Sequence, residues 1–521
     1  MTFTAVSAPT AHLDGLDAVQ VGHLRHIRNL LTQLPGDWSH MGGRGPAQDD
    51  FGGLRYQLAY MTYALAVAHR NRLPAAPGVF KPLFEHAIEK LLSSDVWAYW
   101  RDTSRGGAPW NAHLSDGYEE TWNPVLRDNI MYSAYVQSIA LTYHYLFQDD
   151  RYAQPGALTF TQYTPFWGGE GHSFAYDENS LNDHIYWLMA QSGYLGVACE
   201  PNCIFQMCNQ PPILGFRMKD LIEGTSVAEQ VTRDYEAAWQ RFGRLDPDGH
   251  FYSFVLVDAD IPIPNGDGAA GGDAGVGALM SMWNRDVVAE RYRDQLATYL
   301  VEGPDDTLSV KFAGLSSLFP PGVTPIPIDN ADFGWTTAWA AEMGDAETLE
   351  RLFRHVDRYM NPTIRDGGRY YPRNDTATDG DGNRTEVSPL EGNALYSWAR
   401  LTVPSGLWTL YNVPLEPEHF RNPAIIGVGS DVDVSLAYVA PETRDLHIEV
   451  TRRDDVRGDG TVDLARIDVR SWSVIEAGVE LASSSTPQSD AATFEVVDGT
   501  LRVTLHDHRS HRWIVREGVS R

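Results

Sequence analysis

Cysteine is nearly absent from this 521-residue chain, which has only Cys199, Cys203 and Cys208, all within one short stretch. An odd, clustered set argues against the disulfide framework of small secreted domains. No segment reaches the roughly 18 uncharged apolar residues of a membrane span, so no membrane insertion is expected. The opening residues, Met1-Thr-Phe-Thr-Ala-Val-Ser-Ala-Pro, lack the basic region and apolar run of a secretory signal. A cytoplasmic location is therefore expected. Basic charge is also scarce: 41 Lys and Arg stand against 69 Asp and Glu, a formal net charge of −28. So acidic a body repels phosphate backbones and anionic lipid, which disfavours nucleic acid and membrane surfaces as partners. The same charge also suits solubility in a salty or dry habitat. There is no internal repeat and no long low-complexity tract.

What is present can bury a large core. Hydrophobic residues make up 43% and aromatics 11%, with 15 Trp and 24 Tyr. The length fits one large domain plus a smaller one. Apolar residues at 3–4 spacing predict helices over 16–34, 56–68, 79–92, 129–147, 181–196, 215–242, 278–301, 333–343, 346–359 and 390–401. The segment 56–68 is apolar on nearly every side, the mark of a buried helix. Long loops at 101–123, 148–180, 259–277 and 361–389 separate these runs. The pattern predicts a mainly α fold, an α/α toroid in which inner helices surround a cavity roofed by loops, over 16–403. After Pro404 apolar and polar residues alternate at 431–440, 446–452, 466–474, 492–497 and 501–505. The last two flank Asp498-Gly499, a strong hairpin signal. Residues 404–521 are expected to form an accessory domain, a small antiparallel β-sandwich.

The cysteine segment reads Cys199-Glu-Pro-Asn-Cys203-Ile-Phe-Gln-Met-Cys208-Asn-Gln-Pro. Pro201 places it in a loop or tight helical turn. Three readings stay open for these thiols. They can be small buried core residues, or metal ligands, although C-x3-C-x4-C has no nearby His or second Cys pair. They can also be a proton donor and acceptor facing each other across a substrate. Asp49 and Asp50 precede the apolar helix that carries Tyr56, Tyr60 and Tyr63, where helix capping is the plain reading and compatible with pointing into a cavity. Met131 and Tyr135, four apart, share a helix face. The Gly-rich loop 265–277 lacks the phosphate-cradling contexts. Asp379-Gly-Asp381-Gly-Asn383 fails the calcium-loop register and reads as an exposed turn.

Three stretches together resemble the bacterial linalool dehydratase/isomerase family: DDFGGLRYQLAYMTYALA (49–66), DNIMYSAY (128–135) and GEGHSFAYDENSLNDHIYWLMAQSGYLGVACEPNCIFQMCNQP (169–211). The likeness covers about residues 16–402, and its most specific elements are the CEPN…CNQ stretch and Asp50 with Tyr56. The resemblance implies an (α/α)6 barrel and a cofactor-independent reaction on a small apolar alcohol. That reaction is loss of water (a hydro-lyase) or intramolecular hydroxyl transfer (an isomerase) on an allylic terpene or short isoprenoid alcohol. It implies that Asp50, Tyr56, Met131, Cys199 and Cys208 face the pocket, and that the protein is a homo-oligomer with the site near a subunit contact. A further family tyrosine falls in the later loops, and Tyr252 is the candidate for it. Where the family carries a histidine on the Met131 helix, this chain has Tyr135, which donates or holds a hydrogen bond rather than shuttling a proton near neutral pH. The β-rich tail lies beyond the family's barrel.

The expected chemistry is that Cys199 with Asp50 and Tyr56 holds and protonates the hydroxyl, while Cys208 removes a proton from carbon; the two thiol roles can be exchanged. One rival is a carbohydrate-active toroid enzyme, a glycosidase or epimerase, using Asp50, Glu170 and Glu200 as carboxylates. Two others are a non-catalytic binder of a small apolar ligand and a two-thiol racemase.

Overall fold

The computed structural model describes residues 15–43, 52–106, 111, 113, 118–163, 166, 169–265, 269–312 and 331–518. Asp49 and Asp50 lie outside them. The helices in chain order are α1 (Ala18–Leu31), α2 (Leu54–Asn71), α3 (Pro77–Leu91), the single turns α4 (Ser94–Trp97) and α5 (Trp100–Thr103), α6 (Ile130–Phe147), α7 (Glu178–Gln191) and α8 (Gln210–Glu223). There follow α9 (Val227–Gln240), α10 (Ala270–Met280), α11 (Arg285–Tyr299), α12 (Asp332–Met343), α13 (Ala346–Tyr359), α14 (Tyr396–Leu401) and α15 (Gly406–Asn412).

Burial sorts these helices into two layers. Along α2, α6 and α12 nearly every residue is buried, whereas α13 buries only Leu352, Phe353, His355 and Val356 on one face. The inner helices pack in a circuit: α2 on α6, α6 on α8, α8 on α10, α10 on α12, α12 on α14, and α14 back on α2. Around them, α3, α7, α9, α11, α13 and α1 lean on successive inner members. Capping boxes at Asp17 and Asp177 start α1 and α7.

Two expected long helices are each a pair. The run 215–242 breaks at Gly224, which adopts φ 72° at the end of α8. The Asp220 carboxylate then accepts the Val227 and Ala228 amides at 2.8 and 2.7 Å, which starts α9. The run 278–301 breaks between α10 and α11, and α10 reaches back into the glycine-rich stretch expected to be a loop. A Cβ on Gly275 would lie 2.7 Å from the Met207 sulfur, and one on Gly277 2.4 Å from the Trp339 ring. The glycines serve close helix packing, which outweighs their poor helix propensity of about 1 kcal/mol each.

From Ala424 onward the elements are strands. Ala424–Val428, Thr461–Ala465, Thr500–Leu505 and Ala492–Val497 pair in that order in one antiparallel sheet. Val432–Val439, Leu446–Arg452, Ser510–Glu517, Trp472–Glu476 and Val479–Ser483 form the other. Phe494 of the first sheet packs on Trp472 and Trp513 of the second, with ring centroids 5.4 and 5.8 Å away. Asp498 and Gly499 both take positive φ, the two-residue hairpin turn the sequence predicts. The sheets dock on the helices through Leu16 N–H to Ser435 O and Ile425 N–H to Ala75 O, and through Arg25 to Asp433. Among the described residues no helix is long and apolar enough to cross a membrane.

Glu342 of α12 is buried, and its carboxylate accepts the Leu407 and Trp408 amides at 3.0 and 3.1 Å. Burial nevertheless lifts its pKa from 4.5 to about 7. The folded state thus holds a proton that the unfolded chain releases. The favourable contribution is complete below pH 4.5 and lost as pH rises through 7. E342Q lacks this slope. From pH 4.5 to 7.5 the stability gap between wild type and variant is expected to move by about 3 kcal/mol in the variant's favour. Urea unfolding across that range measures it, and parallel curves would refute it.

Candidate active site

The Cys199–Cys208 segment is a hairpin, not a helical turn. Cys203 N–H donates to Glu200 O at 2.9 Å and Cys199 N–H to Cys203 O at 3.0 Å. Pro201 and Asn202, the latter at φ 70°, fill the two central positions of a type II turn. A clamp closes the far end. The Asn209 amide accepts from Val197 N–H at 2.8 Å and donates to Val197 O and Phe205 O at 3.0 and 2.9 Å. Gly196, at φ 133°, leaves room for that amide, since a Cβ there would sit 2.7 Å from it. The chain therefore returns on itself, so Cys199 and Cys208 meet although nine positions apart. Both are free, buried thiols, close enough that each shifts the other's pKa.

The hairpin also joins the start of α6. Asn129 and Ile130 donate their backbone N–H groups to Cys199 O and Ala198 O, each at 3.1 Å, and the Met131 amide lowers the Cys199 pKa. Cys199 thus sits on a helix N-terminus, where unpaired amides and the helix dipole favour negative charge. Asp128 and Asn129 both take left-handed backbone to make this junction, at φ 47° and 62°. The Met131 thioether lies 3.8 Å from the Cys208 sulfur.

A buried cation faces the thiols from α2. The Arg55 guanidinium donates to the Tyr56 hydroxyl at 2.9 Å and lies between the Tyr56 and Tyr99 rings, 4.2 and 4.0 Å from their centroids. Tyr99 in turn donates to Asn129 Oδ1 at 2.5 Å. Deeper in, Tyr135 donates to the Tyr60 hydroxyl at 2.9 Å and meets Tyr56 edge-on at 6.2 Å. Trp335 and Trp398 pack on Tyr60 at 4.6 and 5.8 Å. Cys199, Cys208 and Tyr56 keep 5, 6 and 6% of their surface accessible, while Tyr60 and Tyr135 keep none. The thiol layer thus keeps a trace of accessible surface where the aromatic floor keeps none.

The electrostatics differ between the two thiols. The Cys208 hydrogen bond pulls the Cys199 pKa down, but burial and Glu200 outweigh it, so Cys199 ends above the ordinary thiol value; Arg55 and the Met131 amide limit the rise. Cys208 is pushed well up, by burial first and then by Cys199. Glu200 is raised by burial and held back by Arg55 and by a hydrogen bond with Cys199. Burial lifts the Tyr56 phenol well above 10, against the pull of Arg55. Both thiols and the phenols rest protonated near neutral pH. If one thiol ionises, Cys199 carries the charge at lower cost.

Five sequence-predicted residues therefore meet: Tyr56, Met131, Tyr135, Cys199 and Cys208. Asp50 is outside the described residues. Tyr252 donates to Phe242 O at 3.0 Å. Cys203 faces Asn111 on the other side of the hairpin, with burial raising its pKa. Two residues the sequence reading did not assign to this chemistry are Arg55, and Glu200, which it gave to the sugar-cleaving alternative. Arg55 is the one charged residue in the first four turns of α2, a signal that was there to be read. A separate cluster, also unforeseen, joins His250 to the buried Asp273 carboxylate at 2.5 Å, with Tyr299 donating to the same oxygen at 2.7 Å. Among the described residues no group of three or more His, Cys, Asp or Glu could hold a metal ion.

Comparison with known proteins adds a family. Among solved structures, the chain is similar to an inactive variant of the α-1,6-mannanase GH76A of Salegentibacter sp. HEL1_6 in complex with α-1,6-mannotriose, at 11% identity and TM-score 0.42, over 74% of this chain and 99% of that one. It is also similar to an α-amylase from Clostridium perfringens, at 10% identity and TM-score 0.36, over 67% and 86% of the two chains. A family model described as linalool dehydratase/isomerase matches residues 55–377. That match runs from Arg55 and Tyr56 through both thiols and covers more than half of the sequence, so the chain belongs to the linalool dehydratase/isomerase family.

Proposed function

We propose that the chain removes water from, or moves the hydroxyl of, an allylic linalool-like alcohol without a cofactor, using the Cys199–Cys208 pair for proton transfer. The observation that carries this reading is the pairing of two buried free thiols at the start of α6, Cys199 on the helix N-terminus beside Arg55 and Cys208 against the Met131 thioether. The ring of α2, α6, α8, α10, α12 and α14 is read as the inner layer of an (α/α)6 barrel. Residues 16–403 are read as the catalytic unit and 404–521 as an accessory one. A homo-oligomer with the site near a subunit contact belongs to the same proposal.

The proton circuit balances. Cys199 gives its proton to the hydroxyl as the C–O bond breaks, and water leaves with the bonding pair. The resulting thiolate faces Arg55 and the Met131 amide. Cys208 passes its proton along the hydrogen bond to Cys199 and becomes the base. It then takes a proton from the carbon beside the allylic cation, and that C–H pair becomes the new double bond. Isomerisation differs in the last step: water adds at the other allylic end and gives its proton to Cys208. The faces of Tyr56 and Tyr135 offset the developing positive charge. The Tyr56 hydroxyl, accepting from Arg55, keeps its own proton to donate to the leaving oxygen. Asp50 joins this scheme through the family likeness alone.

A glycosidase needs two carboxylates flanking a sugar. Glu200 instead engages Cys199 and Arg55, and Glu170 is exposed, which supports the thiol reading over it. Incubating the protein with linalool, geraniol and short methylbutenols, with headspace analysis, is expected to give dienes or the rearranged alcohol. A folded protein that yields neither across the panel would remove the allylic alcohol from the proposal.

A further inference from the structure

A cavity that shares no lining residue with the thiol site lies where the helices meet the strands. It has a volume of about 190 Å³ and is lined by the ends of α2 and α6, the start of α3, and residues 419, 420, 422–424, 438, 439, 441 and 466. That is below the roughly 300–1,000 Å³ of pockets for drug-sized ligands, so an occupant is small. Its charge runs against that of the molecule. The chain carries a net −28, yet none of the lining residues, all of them described, is Asp or Glu, and two are arginines.

Neither arginine has a carboxylate partner among the described residues. Arg70 spends one Nη on Val413 O at 2.9 Å, and its Nε is buried with no hydrogen-bond partner. Arg466 donates to Asn422 O at 3.2 Å and is held at φ 60°, an uncommon conformation for a residue with a Cβ. The half-buried Arg70 guanidinium is costly to keep without a compensating charge, while Arg466 is exposed. Two imidazoles complete the wall. His69 is fixed by Nδ1 to Leu73 O at 3.1 Å and stacks on Phe147. His419 is pushed down to about 4 by burial and by the charges of Arg70 and Arg466. Beside Arg466, the Asn422 Oδ1 is buried with no donor among the described residues.

We propose that this cavity is an anion site for a small phosphate-class ligand, inorganic phosphate or a short phosphate monoester, bound between Arg70 and Arg466. Guanidinium groups match the tetrahedral oxyanion as charge-assisted donors. Monohydrogen phosphate also brings an O–H, which the orphan Asn422 oxygen can accept; a carboxylate has none to give. The site is separate from the thiol pair, so it stands or falls independently of the proposed reaction. Its occupant would tie the strands to the helices and stabilise the join by mass action.

The test is calorimetric titration of the full chain with inorganic phosphate at constant ionic strength, with methyl phosphate and acetate as parallel ligands. Saturable one-to-one binding of phosphate is expected, and acetate is expected to bind at least tenfold more weakly. Methyl phosphate binding more tightly than inorganic phosphate would assign the site to a monoester, and binding more weakly would assign it to the free ion, whose O–H the Asn422 oxygen accepts. R466Q alters a surface side chain and is expected to fold normally while weakening phosphate at least tenfold, with R70Q as the buried counterpart. No saturable binding, unchanged affinity in R466Q, or equal binding of acetate would each overturn the proposal.

Discussion

Replacing Cys199 or Cys208 by alanine is expected to lower turnover of the allylic alcohol by about 10²- to 10⁴-fold, the range of one general acid or base. That is roughly 3–5 kcal/mol of barrier. The two losses are not expected to add. Each thiol is one link of a single circuit, Cys208 to Cys199 to hydroxyl, so the double variant should be about as slow as the slower single one. C203A is the internal control. Its sulfur is also buried but faces Asn111 across the hairpin, and its turnover should stay within a few-fold of wild type. Steady-state rates with each protein's folding checked by circular dichroism measure all four. Near-wild-type turnover in a folded double variant would end the thiol mechanism, whereas a slow C203A would mean that hairpin integrity, not acid–base chemistry, is being read.

Much of this site could be read from the chain, because cysteine is so rare in it. Three thiols in one stretch demand an account, and proximity in sequence with an intervening Pro-Asn turn brings two of them together. The partners were harder. Arg55 adjoins a predicted residue, but a lone charge in an apolar helix reads first as a snorkelling side chain, and only packing shows it enclosed by Tyr56 and Tyr99. The start of α6 was legible at Asn129, but not that Cys199 would sit on it, because the left-handed turn at Asp128 and Asn129 that brings the two together has no sequence signal of its own.

The fold shows a similar division. The strongly one-faced run 346–359 predicts α13 to the residue, whereas 215–242 and 278–301 hide breaks, because the apolar period continues across a turn that local capping creates. In the sheets, alternation locates Leu446–Arg452 but misplaces 466–474. There the chain leaves one strand at Ala465, turns at Arg466 and enters another at Trp472. Period-two patterning says which face a residue takes, not where pairing stops. The strands Ala424–Val428, Val479–Ser483 and Ser510–Glu517 were not anticipated, and each departs from clean alternation or is rich in charge.

The second large effect is expected at Arg55. R55Q removes the cation nearest Cys199 while keeping a donor for the Tyr56 hydroxyl. The thiolate that forms as water leaves then rests on the Met131 amide and Cys208 alone. A fall in kcat of about 10²-fold is expected, with KM moving much less, since a neutral alcohol in the ground state gains little from the charge and the transition state gains most. The pH profile separates this from a packing defect. The circuit starts with Cys199 protonated, so the wild-type rate is lost on the alkaline side, as pH rises through the Cys199 pKa. Arg55 lowers that pKa against burial. Without it the thiol holds its proton longer, and the alkaline limb should move to higher pH even as the maximal rate drops. R55K restores the positive charge without the planar fork that spans Tyr56 and Tyr99, and should return the limb toward its wild-type position while recovering only part of the rate. A slow R55Q enzyme whose alkaline limb stays in place would assign Arg55 to holding the two tyrosines apart rather than to the charge on sulfur.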